Sequence, residues 1–114
     1  MTSTAPRRPT TASRARIRDR GQIDALVLAA LAGGPKRQEE ITATLRAQVG
    51  DALDLPYSRI VPTLHRLHRN RLVGRSSADP RRYRLTEVGT RSLAARRRAA
   101  DAFARSLHHL TDGA

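Results

Sequence analysis

The segment from residue 57 to residue 70 places its hydrophobic residues on one side of a predicted helix and its basic residues on the other. Ile60, Leu64 and Leu67 recur at helical spacing, which is typical of a helix that packs against a core. Pro62 lacks a backbone N–H, so this helix is favoured if Pro62 falls near its first turn. The other side of the helix carries Ser58, Arg59, Pro62, His65, Arg66 and Arg69.

Two helices are predicted before this segment. Hydrophobic residues recur at helical spacing from Ile23 to Leu31, and the turn sequence Gly33-Gly34-Pro35 ends the pattern. A second helix is predicted over about 36–49, where hydrophobic residues fall four apart and Gly50 follows. Three short amphipathic helices can enclose one small core.

A β-hairpin is predicted directly after the third helix. Leu72-Val73 begins one strand and Arg81–Leu85 forms the other, with turn-forming residues at Ser77–Pro80 between them. The tip and the exposed side of this hairpin carry Arg75, Arg81, Arg82 and Arg84.

A long final helix is predicted from Thr86, a suitable N-cap, to about Leu110. A terminal helix gains its stability mainly by burying a hydrophobic stripe, so a second copy of the chain is the simplest partner. The alternative is that this helix folds back on the first helix of its own chain. The predicted dimer interface consists of Leu93, Ala100, Phe103, Leu107 and Leu110.

The charge of the chain predicts a polyanionic partner. Lys and Arg number 22 and Asp and Glu number 10, which gives a formal net charge of +12. Aromatic residues make up only 3% of the chain, which disfavours recognition of single strands by base stacking. The absence of cysteine excludes a disulfide scaffold and cysteine-ligated metal, and no apolar run is long enough to span a membrane. We therefore expect a cytoplasmic protein that binds nucleic acid.

Residues 1–20 form a basic arm with six arginines and one aspartate. Its two prolines and its Ser and Thr residues predict disorder at first, with helix possible over Ser13–Arg20. One interpretation is that the arm enters an A·T-rich minor groove, whose narrow width attracts arginine. The other is a solubilising tail. The predicted DNA contacts of the arm are Arg14, Arg16, Arg18 and Arg20.

Three short helices followed by a hairpin are the order of a winged helix-turn-helix domain. We expect a mostly α-helical fold with a small β-hairpin, made of the arm at 1–20, a winged helix at 21–89 and a dimerisation helix at 90–114. A B-form major groove, about 12 Å wide, accepts one α-helix, and the third helix offers the cationic face. Its predicted DNA contacts are Ser58, Arg59, Thr63, His65, Arg66 and Arg69, with the hairpin arginines as the wing.

Several segments resemble the PadR family of bacterial transcriptional regulators. The resemblance rests on Pro62–Leu67 followed by Leu72-Val73, on Tyr83–Gly89 (YRLTEVG), and on the run Leu26–Pro35. It extends over about residues 21–110, although Val61 stands where the family has a tyrosine. The resemblance implies a homodimeric repressor or activator that binds a near-palindromic operator, and we expect a repressor that acts by occluding a promoter.

Other functional classes are less favoured by the residues. The histidines lack the third ligand that a metal site needs, and no nucleophile motif or phosphate-binding glycine loop is present. We predict no enzyme activity, no cofactor and no metal, and leave a small-molecule effector open. Two alternatives to a sequence-specific regulator remain: a nucleoid-type or RNA-binding protein without sequence preference, and a winged helix that binds a protein partner.

Overall fold

A computed structural model describes residues 14–112 of the chain. It is mostly helical, with a small antiparallel hairpin, as the sequence predicts. The helices are α1 (Arg20–Ala32), α2 (Gln38–Val49), α3 (Ile60–Arg69) and α4 (Glu87–Asp112), and the strands are β1 (Ala15–Arg16), β2 (Leu53–Asp54), β3 (Val73–Arg75) and β4 (Tyr83–Leu85).

The first three helices enclose the core. Val27 and Leu28 of α1, Ile41 of α2 and Leu64 of α3 are completely buried, and β3 and β4 close the cluster with Val73 and Tyr83. Each helix therefore buries the face that its hydrophobic spacing predicts. Burial of these aliphatic side chains, at about 1.5–3 kcal/mol each, is the main force that holds the helices together.

The segment before α1 is extended, so the prediction of helix up to Arg20 is wrong for the described residues before it. β1 pairs in parallel with β2, and the backbone N–H of Ala15 donates to the carbonyl of Ala52 at 3.1 Å. Ile17 packs against the core from this extended position. The helix starts only at Arg20, because the Asp19 carboxylate accepts a hydrogen bond from the N–H of Gln22 and caps α1. The rest of the predicted arm lies outside the described residues.

A short 3-10 turn at Tyr57–Arg59 leads into α3. Pro62 therefore falls in the first turn of α3, where its missing N–H leaves no helical carbonyl without a partner. At the other end, Arg71 adopts a φ of +65°, which stops the helix and turns the chain into β3. The predicted helix over 57–70 is confirmed, with the α-helical part limited to Ile60–Arg69.

The hairpin is shorter than predicted but has the predicted alternation. Val73 pairs with Leu85 and Arg75 with Tyr83, so Tyr83 points into the core and Arg84 points outward. β4 also pairs with Lys36: the N–H of Tyr83 donates to the Lys36 carbonyl at 2.7 Å, and the Lys36 N–H donates back at 2.9 Å. This pair of bonds fixes the hairpin against the connection between α1 and α2.

α4 leaves the hairpin through a close backbone crossing. The Thr86 hydroxyl accepts from the N–H of Gly89 at 3.0 Å and donates to the Arg71 carbonyl at 2.7 Å, which confirms Thr86 as the cap. A Cβ at Gly89 would lie 1.9 Å from the carbonyl oxygen of Leu72, so only glycine fits there. α4 then continues without a break across residue 90, the predicted domain boundary.

The two halves of α4 have different surroundings. Leu93 is only 8% exposed and packs in the core of its own chain. It was predicted as a dimer contact, and that prediction is wrong: the start of α4 lies on α1, as the fold-back alternative requires. Further along, Ala100 is exposed, and Phe103, Leu107 and Leu110 are 66%, 48% and 74% exposed.

Candidate nucleic-acid interface

The side of α3 opposite the core is exposed and basic. His65 and Arg69 lie on it, and Ser58 and Arg59 extend it from the preceding turn. All four were predicted as DNA contacts, and the structure brings them together on one surface. We call this surface the α3 ridge: Ser58, Arg59, Pro62, His65 and Arg69.

The other two residues predicted from this helix face inward. Thr63 is 7% exposed, and the Arg66 side chain is only 19% exposed. The two terminal nitrogens of the Arg66 guanidinium bind the buried Asp24 carboxylate; Nη1 donates to Oδ2 at 3.1 Å and Nη2 donates to Oδ1. These hydrogen bonds raise the pKa of Arg66 above its ordinary value, against the effect of burial. Arg66 is therefore a structural cation, and its prediction as a base or phosphate contact is corrected.

A second arginine shares the same carboxylate. Nη2 of Arg96, in α4, lies 3.9 Å from Oδ2 of Asp24, and its Nη1 donates to the Gly21 carbonyl at 3.1 Å. Asp24 thus joins α1, α3 and α4. The sequence did contain a signal for this cluster, because Asp24 stands among the buried positions of α1 and Arg96 interrupts the apolar stripe of α4.

An open groove of about 320 Å³ separates the α3 ridge from the start of α1. Three exposed arginines border it: Arg20 from α1, and Arg59 and Arg69 from the ridge. Within residues 14–112, none of these three takes part in an ion pair. We call this the α1 groove; it is lined by Arg20, Ile23, Arg59, Pro62, Thr63, Arg66 and Arg69.

A second groove, of about 390 Å³, lies between α3, the hairpin and the start of α2. Among its basic residues, Arg37 was not predicted as a contact. Its position at the N-cap of α2, just after the Lys36 pairing, brings it to the hairpin. We call this the hairpin groove; it is lined by Arg37, Gln38, Glu39, His65, Arg75, Arg81 and Tyr83.

Most hairpin arginines already have partners. The Arg75 guanidinium lies 4.7 Å from the Tyr83 ring centre and donates to the Pro80 carbonyl at 2.9 Å. Arg81 and Arg82 both reach Asp79, at 3.4 and 3.3 Å. Backbone and side-chain hydrogen bonds from Arg81 hold the pKa of Asp79 below its ordinary value.

Arg82 and Arg84 differ most in their availability. Arg82 also donates to Glu40 of α2 at 2.7 Å, so it connects the hairpin to α2. Arg84 is exposed and, among the described residues, donates only to the adjacent Leu85 carbonyl, at 3.1 Å. Of the four predicted wing arginines, Arg82 is thus the most strongly bound within the fold.

The described arm arginines also divide into two kinds. Arg14 donates to the Gly50 carbonyl at 2.8 Å, and Arg16 lies 3.6 Å from the Asp54 carboxylate. Both therefore contact the α2–α3 connection. Arg18 is exposed, and Arg20 lies on the α1 groove. Contact of the arm with a minor groove stays a prediction.

Comparison with known proteins finds no family model that matches the chain and no match among curated proteins. The resemblance to PadR regulators stays a prediction. Across residues 14–112, no helix is both long and apolar enough to cross a membrane, and no three acidic or histidine side chains are grouped to hold a metal ion.

Proposed function

We propose that this protein is a sequence-specific DNA-binding regulator of the winged-helix class, in which α3 enters the major groove and the hairpin acts as the wing. The observation that carries this proposal is the α3 ridge, an exposed basic helix face with an arginine-bordered groove on each side. The other face of α3 is held by the core, so the ridge is presented on a rigid support.

The arrangement suits the geometry of duplex DNA. A major groove about 12 Å wide admits one helix, and a phosphate backbone runs along each of its edges. With α3 in the groove, the α1 groove faces one backbone and the hairpin groove faces the other. Phosphate contacts on both sides set the position of the helix, and its exposed side chains then meet base edges.

Three exposed residues of the ridge are assigned to base reading. Arg69 offers a planar fork that matches O6 and N7 of guanine, and His65 and Ser58 offer shorter hydrogen-bonding groups. Thr63 and Arg66 have no part in this set, because Thr63 is buried and the Arg66 guanidinium is bound to Asp24. Arg59, Arg75, Arg81 and Arg84 are assigned to phosphates.

The proposed regulator is a homodimer that uses the second half of α4. The α4 stripe of Ala100, Phe103, Leu107 and Leu110 is exposed within one chain, and a second copy would bury it. A twofold dimer presents two α3 ridges to half-sites one helical turn apart, about 34–36 Å, on a near-palindromic operator. We expect Phe103→Glu to give a monomer by sedimentation, while the matched exposed change Ala102→Glu leaves the dimer intact. A wild-type chain that sediments as a monomer would rule this interface out.

The function is tested by selecting a tightly bound DNA duplex from a random pool. The affinity of the protein for the selected duplex and for the unselected pool is then measured over a range of salt concentrations. We expect a clear preference for the selected duplex. With about six to ten phosphate contacts, affinity should fall about 10³- to 10⁵-fold between 50 and 200 mM salt. Equal affinity for both duplexes would indicate a nucleoid-type protein instead, and the absence of binding at physiological salt would favour a protein-binding winged helix.

A further inference from the structure

We propose that the α1 groove is a phosphate-binding site. For a phosphate supplied by DNA this inference rests on the proposed function, and it then assigns the groove to the backbone on the side of α3 away from the hairpin. The same chemistry would fit a free phosphorylated ligand, so the experiment below separates the two sources.

Three independent parts of the chain bring their arginines to this groove. Arg20 is the first residue of α1, Arg59 ends the 3-10 turn, and Arg69 is the last residue of α3. Ile23 and Pro62 form an apolar part of the lining between them. The core fixes α1 against α3, so these positions are set before any ligand arrives.

The groove has a surplus of positive charge. Arg66 also lines it, but the Asp24 carboxylate neutralises Arg66, and Arg96 approaches the same carboxylate from α4. The nearby Asp19 carboxylate caps α1 and is not among the residues that line the groove. Arg20, Arg59 and Arg69 are left without an ion pair within residues 14–112, and their mutual repulsion is relieved by a bound anion.

The N-terminus of α1 is an unusual place for a cation. The positive end of a helix dipole favours acidic residues, and α2 and α4 follow this rule with Glu39, Glu40 and Glu87 in their first turns. α1 has no acidic residue in its first turn and begins with Arg20 instead. The Asp19 carboxylate caps this helix end, so an anion in the groove would be attracted mainly by the Arg20 side chain.

The side chains of the groove suit a phosphate group. Guanidinium groups bind phosphate oxygens through two parallel N–H···O bonds, and the forks of Arg20 and Arg59 come from different elements and can both bind oxygens of one phosphate, while Arg69 beside them adds positive charge. The groove volume of about 320 Å³ leaves room for a phosphate group between these side chains. Its open shape also suits a phosphate that belongs to a longer strand.

The test uses the full chain with Arg20→Gln and Arg59→Gln combined, against the matched variant Arg97→Gln and Arg98→Gln. Arg97 and Arg98 are exposed on α4 and line neither groove. Both double variants remove two exposed charges, so net charge is the same in the comparison. Circular dichroism and thermal unfolding check that both fold.

Two measurements separate the sources of phosphate. Affinity for the selected duplex and for the random pool is measured against salt, and thermal stabilisation by inorganic pyrophosphate is measured without DNA. For a DNA phosphate, the groove variant should lose about tenfold affinity equally on both duplexes, and its salt slope should fall by about 1 per lost phosphate contact relative to the α4 control. For a free ligand, the groove variant should lose the pyrophosphate stabilisation while DNA binding is unchanged.

The outcomes bear differently on the two proposals. If both variants behave alike with DNA and with pyrophosphate, the phosphate site is wrong, while a salt-dependent preference for the selected duplex would keep the proposed function. A different outcome is that the wild type fails to bind DNA but is stabilised by pyrophosphate, with that stabilisation lost in the groove variant. In that case the regulator proposal fails and the phosphate site stands.

Discussion

Both sides of α3 carry arginines, but in the described part of the chain those on the hairpin side are bound within the fold and the exposed ones on the α1 side are not. On the hairpin side, Arg75, Arg81 and Arg82 are held by a carbonyl, an aromatic ring and two carboxylates. On the α1 side, the exposed arginines have no ion pair within residues 14–112, and the one paired arginine is buried on Asp24. A count of arginines on a surface therefore does not measure the charge available to a ligand.

Substitution of Asp24, the carboxylate that binds Arg66 and Arg96, should change the stability of the protein most. Asp24→Ala leaves Arg66 and Arg96 as unpaired cations, one of them mostly buried, and should lower the free energy of unfolding by about 3 kcal/mol. Urea unfolding measures this change. Asp101→Ala, exposed on α4, is the control and should alter stability by less than about 0.5 kcal/mol. Equal effects of the two changes would show that the cluster does not hold the helices.

The next effect separates two neighbouring arginines of α3. Arg69→Ala should weaken binding to the selected duplex by about tenfold or more and to the random pool by less, because Arg69 is exposed on the ridge and can read a base. Arg66→Met should instead lower stability and leave the preference of the folded protein for the selected duplex unchanged, since its guanidinium is bound to Asp24. A reversed result would return Arg66 to the set of base contacts.

A smaller effect compares two arginines of the hairpin. Arg81 is 74% exposed in its side chain and Arg82 is 35% exposed with contacts to both Glu40 and Asp79. Arg81→Ala should reduce the salt slope of DNA binding by about 1, as expected for loss of one phosphate contact. Arg82→Ala should change the slope less and disturb the hairpin more, which amide exchange of β4 would report. Identical slopes for the two variants would contradict the distinction.

The smallest effect is a pH dependence confined to the hairpin side. The backbone N–H of Arg37, and then Arg82, hold the pKa of Glu40 below its ordinary value. A group with a lowered pKa in the folded state stabilises the fold at pH values above its unfolded pKa, about 4.3, and the stabilisation is lost as pH falls through the folded pKa. Glu40→Gln should therefore show a smaller drop in melting temperature than wild type on acidification from about pH 5 to pH 3. Parallel curves of melting temperature against pH for the two proteins would show that Glu40 does not contribute to the acid sensitivity.

Local sequence patterns predicted the secondary-structure elements better than the contacts between those elements. The apolar face of α3, the alternation in β4 and the Thr86 cap each depend on residues within a few positions of one another, so the sequence contains them. The pairing of β1 with β2 joins residues almost forty positions apart, and it turned a predicted helix into a strand. Such long-range contacts override weak local preference.

The site shows the same division. Helical spacing separates α3 into a core side and a polar side, and it assigned His65 and Arg69 to the exposed surface. Helical spacing could not show that Thr63 is buried and that Arg66 binds Asp24 of α1, because both depend on how α1 packs against α3. Leu93 is the converse case: its spacing matches the exposed stripe of α4, but it lies where that helix still contacts α1.

Gly89 has a consequence beyond the local fit of two backbones. Because no side chain fits between it and the Leu72 carbonyl, the direction in which α4 leaves the hairpin is fixed at this crossing. In a dimer built on α4, a small change in that direction would be amplified along the helix into a different separation of the two α3 ridges. A bulkier residue at position 89 that still allowed folding would therefore alter the preferred operator spacing, without touching either the bases or the partner chain.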